Sequence, residues 1–291
     1  MRYATAPSRR TFLQSAAVLG AIASTASGAD ELLAPVGAGG QSKPSDPWRG
    51  LKIGVASYTL RGMKVDDAIA AIQRVGLSYV SIKDSHLPMK STPEERKAVA
   101  AKFKDAGITP LSVGVVGMQN DEANCRAAFE YARDVGVPVM VCNPHPDSFP
   151  ILDKLVKEFD LKLAIHNHGP ESDRFKSPYD AMKAAEKFDE RIGMCVDVGH
   201  TARMKIDPAE AIRKCAPRLY DCHLKDLAVL DRPNNGVPMG RGVLPVRAML
   251  QALLDVKFAH HAGIEYEDFA KDPLPGLAES VGYMRGVLSS L

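Results

Sequence analysis

From residue 51 onward the chain alternates between two hydrophobic periods. Short apolar runs rich in Val, Ile and Leu have the length of buried strands. They fall at 51–57, 78–83, 109–116, 138–142, 162–166, 193–197, 219–225 and 262–266. Between them lie segments in which apolar residues recur at helical spacing, at 65–75, 93–106, 122–135, 148–158, 178–188, 208–215, 245–254 and 277–289. Start and stop signals agree with the periods. Thr92-Pro93-Glu94-Glu95 supplies a cap, a first-turn proline and first-turn acids, and Ser177-Pro178 and Asp207-Pro208 repeat the device. Gly76, Gly107 and Gly136 stand just past helix ends, where a left-handed cap wants glycine. Eight strand–helix units in about 240 residues match the size and order of a single (β/α)₈ TIM barrel. A doubly wound open sheet shares the alternation, and the count of eight favours the barrel. No G-x-G-x-x-G follows the first strand, which argues against a dinucleotide site.

The segment before the barrel reads differently. Ser8-Arg9-Arg10-Thr11-Phe12-Leu13-Gln14, an apolar run from Ala16 to Ala26 and the small residues Ser27-Gly28-Ala29 form the grammar of a cleaved signal peptide with a twin-arginine motif. A retained short anchor is the alternative. The expected organisation is a leader at 1–29, a Gly/Pro/Ser-rich linker at 30–49 and the barrel at 50–291, with Trp48 and Arg49 at its threshold. The mature protein is expected in the periplasm or outside the cell. No apolar run of about 18 residues follows the leader, so no membrane span is expected after cleavage.

Composition narrows the function by exclusion. The chain is 45% hydrophobic and 25% charged, with a net charge of +2. That near balance gives no basic footprint for nucleic acid. The five cysteines include no C-x-x-C pair. An odd count without pairing argues for buried free thiols over a disulfide framework, and the spacing gives little support for zinc ligation.

The histidines carry the chemistry. Of eight, His86, His145, His166, His168, His200 and His223 fall at or just beyond a predicted strand end, and only His260 and His261 precede a strand. Barrel enzymes build their sites at the C-terminal strand ends. His166, Asp197, His223 and Glu265 end four consecutive strands, which are neighbours around the rim. Two imidazoles and two carboxylates placed so can enclose one divalent ion. Unpaired carboxylates at that depth would be costly. The mixed nitrogen and oxygen set suits manganese, cobalt, iron or zinc. A hydrogen-bonded His/acid network without metal is the alternative reading.

The segments Asp197-Val198-Gly199-His200 and His223-Leu224-Lys225-Asp226, with Glu265, Ala56-Ser57-Tyr58-Thr59-Leu60-Arg61 and Gly240-Arg241-Gly242-Val243-Leu244, resemble the xylose isomerase-like TIM barrel family over 51–288. That family includes sugar isomerases and epimerases, ketose 3-epimerases and inosose dehydratase, with endonuclease four more distant. The resemblance implies one metal held by Glu, Asp, His and Glu from strands five to eight. It also implies dimers or tetramers as the expected assemblies. Asp197, His223 and Glu265 match, and His166 stands at the usual glutamate position. In the epimerases that glutamate is one of two proton-transfer bases, and Glu265 corresponds to the other.

The expected reaction is therefore metal-assisted removal of a proton beside a carbonyl. The base candidates are Glu265, His168, His145 and Lys83. His200, Lys225, Asp226, His86 and Arg241 are candidate substrate contacts. Export favours a free or oxidised sugar over a phosphorylated one. A lyase that removes a proton beside a 3-keto group and expels a glycosidic oxygen is the second reading, because elimination needs no second carboxylate. A non-catalytic periplasmic sugar-binding barrel is the third. A phosphodiesterase acting on abasic DNA would need more metal ligands than these strands supply.

Overall fold

The computed structural model describes residues 46–267 and 272–291. The leader expected at 1–29 and most of the linker expected at 30–49 lie outside the described residues. The packed body starts slightly earlier than residue 50. Asp46 accepts from the Trp48 and Gly50 amides, and Trp48 is buried with the Arg285 guanidinium 4.9 Å from its ring.

The parallel strands are β1 (Lys52–Ala56), β2 (Tyr79–Ile82), β3 (Thr109–Met118), β4 (Val139–Pro144), β5 (Lys162–His166), β6 (Ile192–Asp197), β7 (Leu219–Leu224) and β10 (His261–Ile264). They close in the order β1-β10-β7-β6-β5-β4-β3-β2. A short antiparallel pair, β8 (Asp226–Leu227) and β9 (Gly236–Val237), leaves the barrel after β7. The helices are α1 (Val65–Arg74), α2 (Pro93–Asp105), α3 (Glu122–Val135), α4 (Phe149–Phe159), α5 (Pro178–Ala185), α6 (Val198–Arg203), α7 (Pro208–Cys215), α8 (Val246–Asp255) and α9 (Leu274–Ser289). This is the TIM barrel that the alternation predicts.

Local chemistry sets the boundaries. Thr92 forms a capping box with Glu95, and Ser177 forms one with Asp180. Asp207 accepts from the amides of Ala209 and Glu210. Gly136 closes α3 at φ 75°, in the left-handed region where a side chain is strained. Helix α5 ends three residues before the predicted limit, because the Arg218 guanidinium takes the Ala185 carbonyl at 2.9 Å. Helix α6 had no counterpart in the periodicity. Its six residues are too few to show a period, and Asp197 starts it by accepting from the His200 amide.

One large apolar core lies between the outer faces of the strands and the helices. A second, small cluster contains Val139, Val141, Ala164, Cys195 and Tyr220. Ala164 shares a strand face with His166, and Cys195 shares one with Asp197. These apolar residues therefore lie beneath the polar end of the barrel. All five cysteines are free and buried, as expected. No helix among the described residues is long and apolar enough to cross a membrane.

Candidate metal centre

Strand ends position the four expected ligands. In β6 the whole run 192–197 is buried, and Asp197 is the last residue before α6. Its Oδ1 is committed to the His200 amide at 2.8 Å, which leaves Oδ2 facing the barrel axis. Asn167, on the opposite face of the chain from His166, locks the neighbouring end. Its Oδ1 accepts from the Asp197 amide at 2.9 Å and its amide donates to Thr201 Oγ1 at 3.1 Å. Strands β6 and β7 are in register at Asp197 and His223. Glu265 follows β10 directly, with its amide donating to the Leu224 carbonyl at 2.8 Å.

The donor atoms of His166, Asp197, His223 and Glu265 all lie within 4.8 Å of one another, and all four residues are buried. His166 Nε2 is 2.9 Å from His223 Nδ1 and 3.4 Å from Asp197 Oδ2. His223 Nδ1 is 3.1 Å from Glu265 Oε2 and 3.8 Å from Asp197 Oδ2. Donors around a tetrahedral ion at about 2.0–2.2 Å stand about 3.3–3.6 Å apart, so these separations fit one ion. Asp197 Oδ2 is fully buried and accepts no aligned hydrogen bond, although Lys225 Nζ lies 2.9 Å away.

Charge gives the same answer. Lys83 and Lys225 are the buried ammonium groups around the cluster, with Lys83 Nζ 3.0 Å from His223 Nε2. Lys225 Nζ lies 2.9 Å from Glu265 Oε2 and 2.7 Å from Glu267 Oε1. The carboxylates nearby are Asp197, Asp221, Glu265 and Glu267. Asp197, Asp221 and Glu265 are buried and Glu267 is half-buried at the mouth, so the acids outnumber the two lysines. A divalent cation neutralises that excess, so the residues fit a metal.

Titration is shifted in the directions a metal site needs. Burial holds the His166 imidazole well below its ordinary value, so the ring is neutral with a free lone pair. Burial, helped by His200, brings His168 down to about 4. Burial pushes the Asp197 carboxyl up, but Lys225 and then His200 override it and hold it well below the usual range. Glu265 behaves alike, with His223 and then Lys225 overriding burial.

The other expected site residues divide into two groups. Lys83, His168, His200 and Lys225 converge on the cluster. The His168 and His166 rings are 4.3 Å apart, and His200 lies 5.9 Å from His166. A mouth pocket is lined by His200, Arg203, Lys225, Asn235, Glu265 and Glu267. Three expectations give way, and a fourth is redirected. His145 is only half-buried, and its Nδ1 accepts from the Asp147 amide, which caps a turn. Arg241 is exposed and pairs with Glu279 on α9. Asp226 accepts from four backbone amides, those of Leu227, Gly240, Gly242 and Leu244, and so anchors the loop from β8 to α8. His86 is buried against Ser57 Oγ at 3.0 Å and serves the β1–β2 end of the rim. Sequence reasoning missed Asn167 and Thr201 because an outward-facing polar residue gives no periodic signal.

The sequence profile described as xylose isomerase-like TIM barrel matches residues 69–287. The chain belongs to that family. Solved structures agree on the fold. An uncharacterised protein from Parabacteroides distasonis superposes with a TM-score of 0.63 at 24% identity, covering 81% of this chain and 98% of that one. A 3-keto-D-glucoside 4-epimerase from E. coli, in its apo form, gives 0.66 at 16%, covering 81% and 99%. An IolI protein with a bound zinc atom gives 0.66 at 16%, covering 82% and 99%. No curated protein sequence matches the chain. Within this barrel, His166 is the last residue of β5.

Proposed function

We propose that the chain is a divalent-metal-dependent isomerase or epimerase of a free or oxidised sugar, acting by proton abstraction next to a carbonyl. One observation carries the reading: His166, Asp197, His223 and Glu265 converge within 4.8 Å at the mouth of a family barrel. A bound ion there supplies positive charge for the oxygen on which negative charge develops as the proton leaves. The chain's own groups do the rest. Glu265 enters beside β10 and His168 just beyond β5, so they flank the central Asp197 and His223. With its value near 4, His168 is neutral at pH 7 and able to take a proton. Glu265 is ionised, and Lys225 and His223 fix its direction. Two proton acceptors on opposite flanks are what inversion at a carbon requires. His200 and Asn235 line the pocket with hydrogen-bonding groups suited to hydroxyls.

A lyase acting on 3-keto-glycosides is the second reading. The observation that favours it is His166 itself, since one base suffices to remove the proton before a glycosidic oxygen leaves. A non-catalytic sugar-binding barrel is the reading to which a failed metal test would lead. We also place the mature protein in the periplasm or outside the cell, on the strength of Arg9-Arg10 and the apolar run behind them.

The test is metal content by elemental mass spectrometry, for wild type and for His166→Ala, Asp197→Ala and His223→Ala. About one equivalent of a transition metal in wild type and loss in all three variants supports the centre. Panels of keto-sugars and keto-glycosides then separate the reactions, because release of free aglycone identifies the lyase. A protein that stays metal-free under loading refutes the enzymatic reading.

A further inference from the structure

The ligand set has a lower edge that the family pattern does not use. Strands β5 and β6 are in register at His166 and Cys195. Cys195 lies two residues before Asp197, on the same strand face and one layer deeper in the barrel. Its sulfur and the donor atoms of His166 and His223 all lie within 4.8 Å of one another, and all three residues are buried. The two imidazoles thus belong to two overlapping donor groups. One is completed by the oxygens of Asp197 and Glu265, and the other by the Cys195 thiol.

We propose that Cys195 is a thiolate ligand of the ion, so that the centre selects a thiophilic dication such as zinc over manganese or magnesium. The inference rests on the metal centre proposed above. Further observations support it. Lys225 already stands 2.9 Å from both Asp197 Oδ2 and Glu265 Oε2, on the mouth side of His223. An ion held by those oxygens alone sits against an ammonium, and a shift toward Cys195 relieves that repulsion. Cys195 also belongs to a small buried cluster with Val139, Val141 and Ala164, and Asp221 on β7 stands in register with it. Replacement of a hard carboxylate by His166 shifts the remaining donors toward nitrogen and sulfur, the pair that zinc and cobalt take more readily than manganese or magnesium. On binding, the thiol proton leaves to solvent and the sulfur–metal bond replaces the sulfur–hydrogen bond.

The experiment loads the full chain with cobalt(II) and records its absorption. A sulfur-to-cobalt charge-transfer band in the near ultraviolet, absent from Cys195→Ser, is the expected result. Cys195→Ser should keep cobalt through the remaining donors and so retain the visible ligand-field bands. In competition loading, zinc preference over manganese should fall by about tenfold or more in the variant, at least the loss that outer partners of a metal cause. Cobalt bound by wild type with ligand-field bands but no charge-transfer band overturns the role of Cys195 and leaves the four-residue centre standing. A wild type that takes up no cobalt overturns both.

Discussion

Removing the Asp226 carboxylate tests whether this residue holds the mouth loop or touches a ligand. In Asp226→Ala four amides lose their acceptor, at 2.9 Å for Leu227, Gly240 and Gly242 and 3.0 Å for Leu244. They do not lose equally. Gly240 is exposed and Gly242 half-buried, so water can replace the carboxylate there. Leu227 and Leu244 are buried, at 6% and 7% exposure, and their amides bear the desolvation. A hydrogen bond to a charged group contributes about 1.5–3 kcal/mol, so two buried ones give about 3–6 kcal/mol. For a domain of this size each kcal/mol shifts Tm by about 2–4 °C, which puts the drop near 10 °C. Asp226→Asn keeps one oxygen acceptor and should fall about half as far. Thermal denaturation followed by circular dichroism measures the drop. Hydrogen exchange at Gly240, Gly242 and Leu244 should accelerate in step, and metal content should be unchanged. A Tm within about 2 °C of wild type, with sugar binding lost, would refute the anchor and return Asp226 to the substrate.

Two further predictions follow from the same packing. In metal-free protein, His168 titrates near 4 in the folded state against 6.5 when free. The unfolded chain therefore takes the proton first as pH falls. Stability from this group is complete above about pH 6.5 and is lost toward pH 4, by about 2–3 kcal/mol in total. His168→Gln should flatten that part of a urea-unfolding profile measured against pH, and an unchanged slope would show that the ring is not desolvated as described. At Gly54 a methyl group would lie 2.6 Å from His261 Nε2 and closer still to the Tyr79 carbonyl. The backbone of β2 cannot yield as a side chain can, so Gly54→Ala should cost about 2–3 kcal/mol, read as a lower denaturation midpoint at unchanged slope.

Much of the site was legible because barrel architecture converts sequence order into position. A residue that ends a strand must stand on the rim, and consecutive strands must be neighbours, so His166, Asp197, His223 and Glu265 could be grouped without coordinates. The same reasoning failed for Asp226, Arg241 and His145. They follow barrel strands, as the ligands do, but lie where the chain has left the barrel ladder, Asp226 in the short β8, and there the barrel's alternation no longer fixes a direction. Asp226 turns into its own loop because four unpaired amides await an acceptor there. Arg241 swings to Glu279 because α9 presents an opposite charge. Cys195 was read as a buried free thiol, with little support from spacing for zinc ligation, and it is free and buried. Its neighbours in the donor group come from β5 and β7, and no spacing along the chain displays that proximity.

By itself the sequence determined the periodic features: eight strand–helix units, their caps, the family and the four residues at consecutive strand ends. Each follows from rules that act within a few residues or from the fixed order of strands around a barrel. The tertiary structure alone decided which groups share a charge. Lys225 placed among Asp197, Glu265 and Glu267, Lys83 against His223, and Cys195 beneath two imidazoles are all contacts between strands far apart in the chain. Such contacts depend on side-chain direction and on the desolvation that closure imposes. Both arise only when the barrel shuts and water can no longer separate the charges.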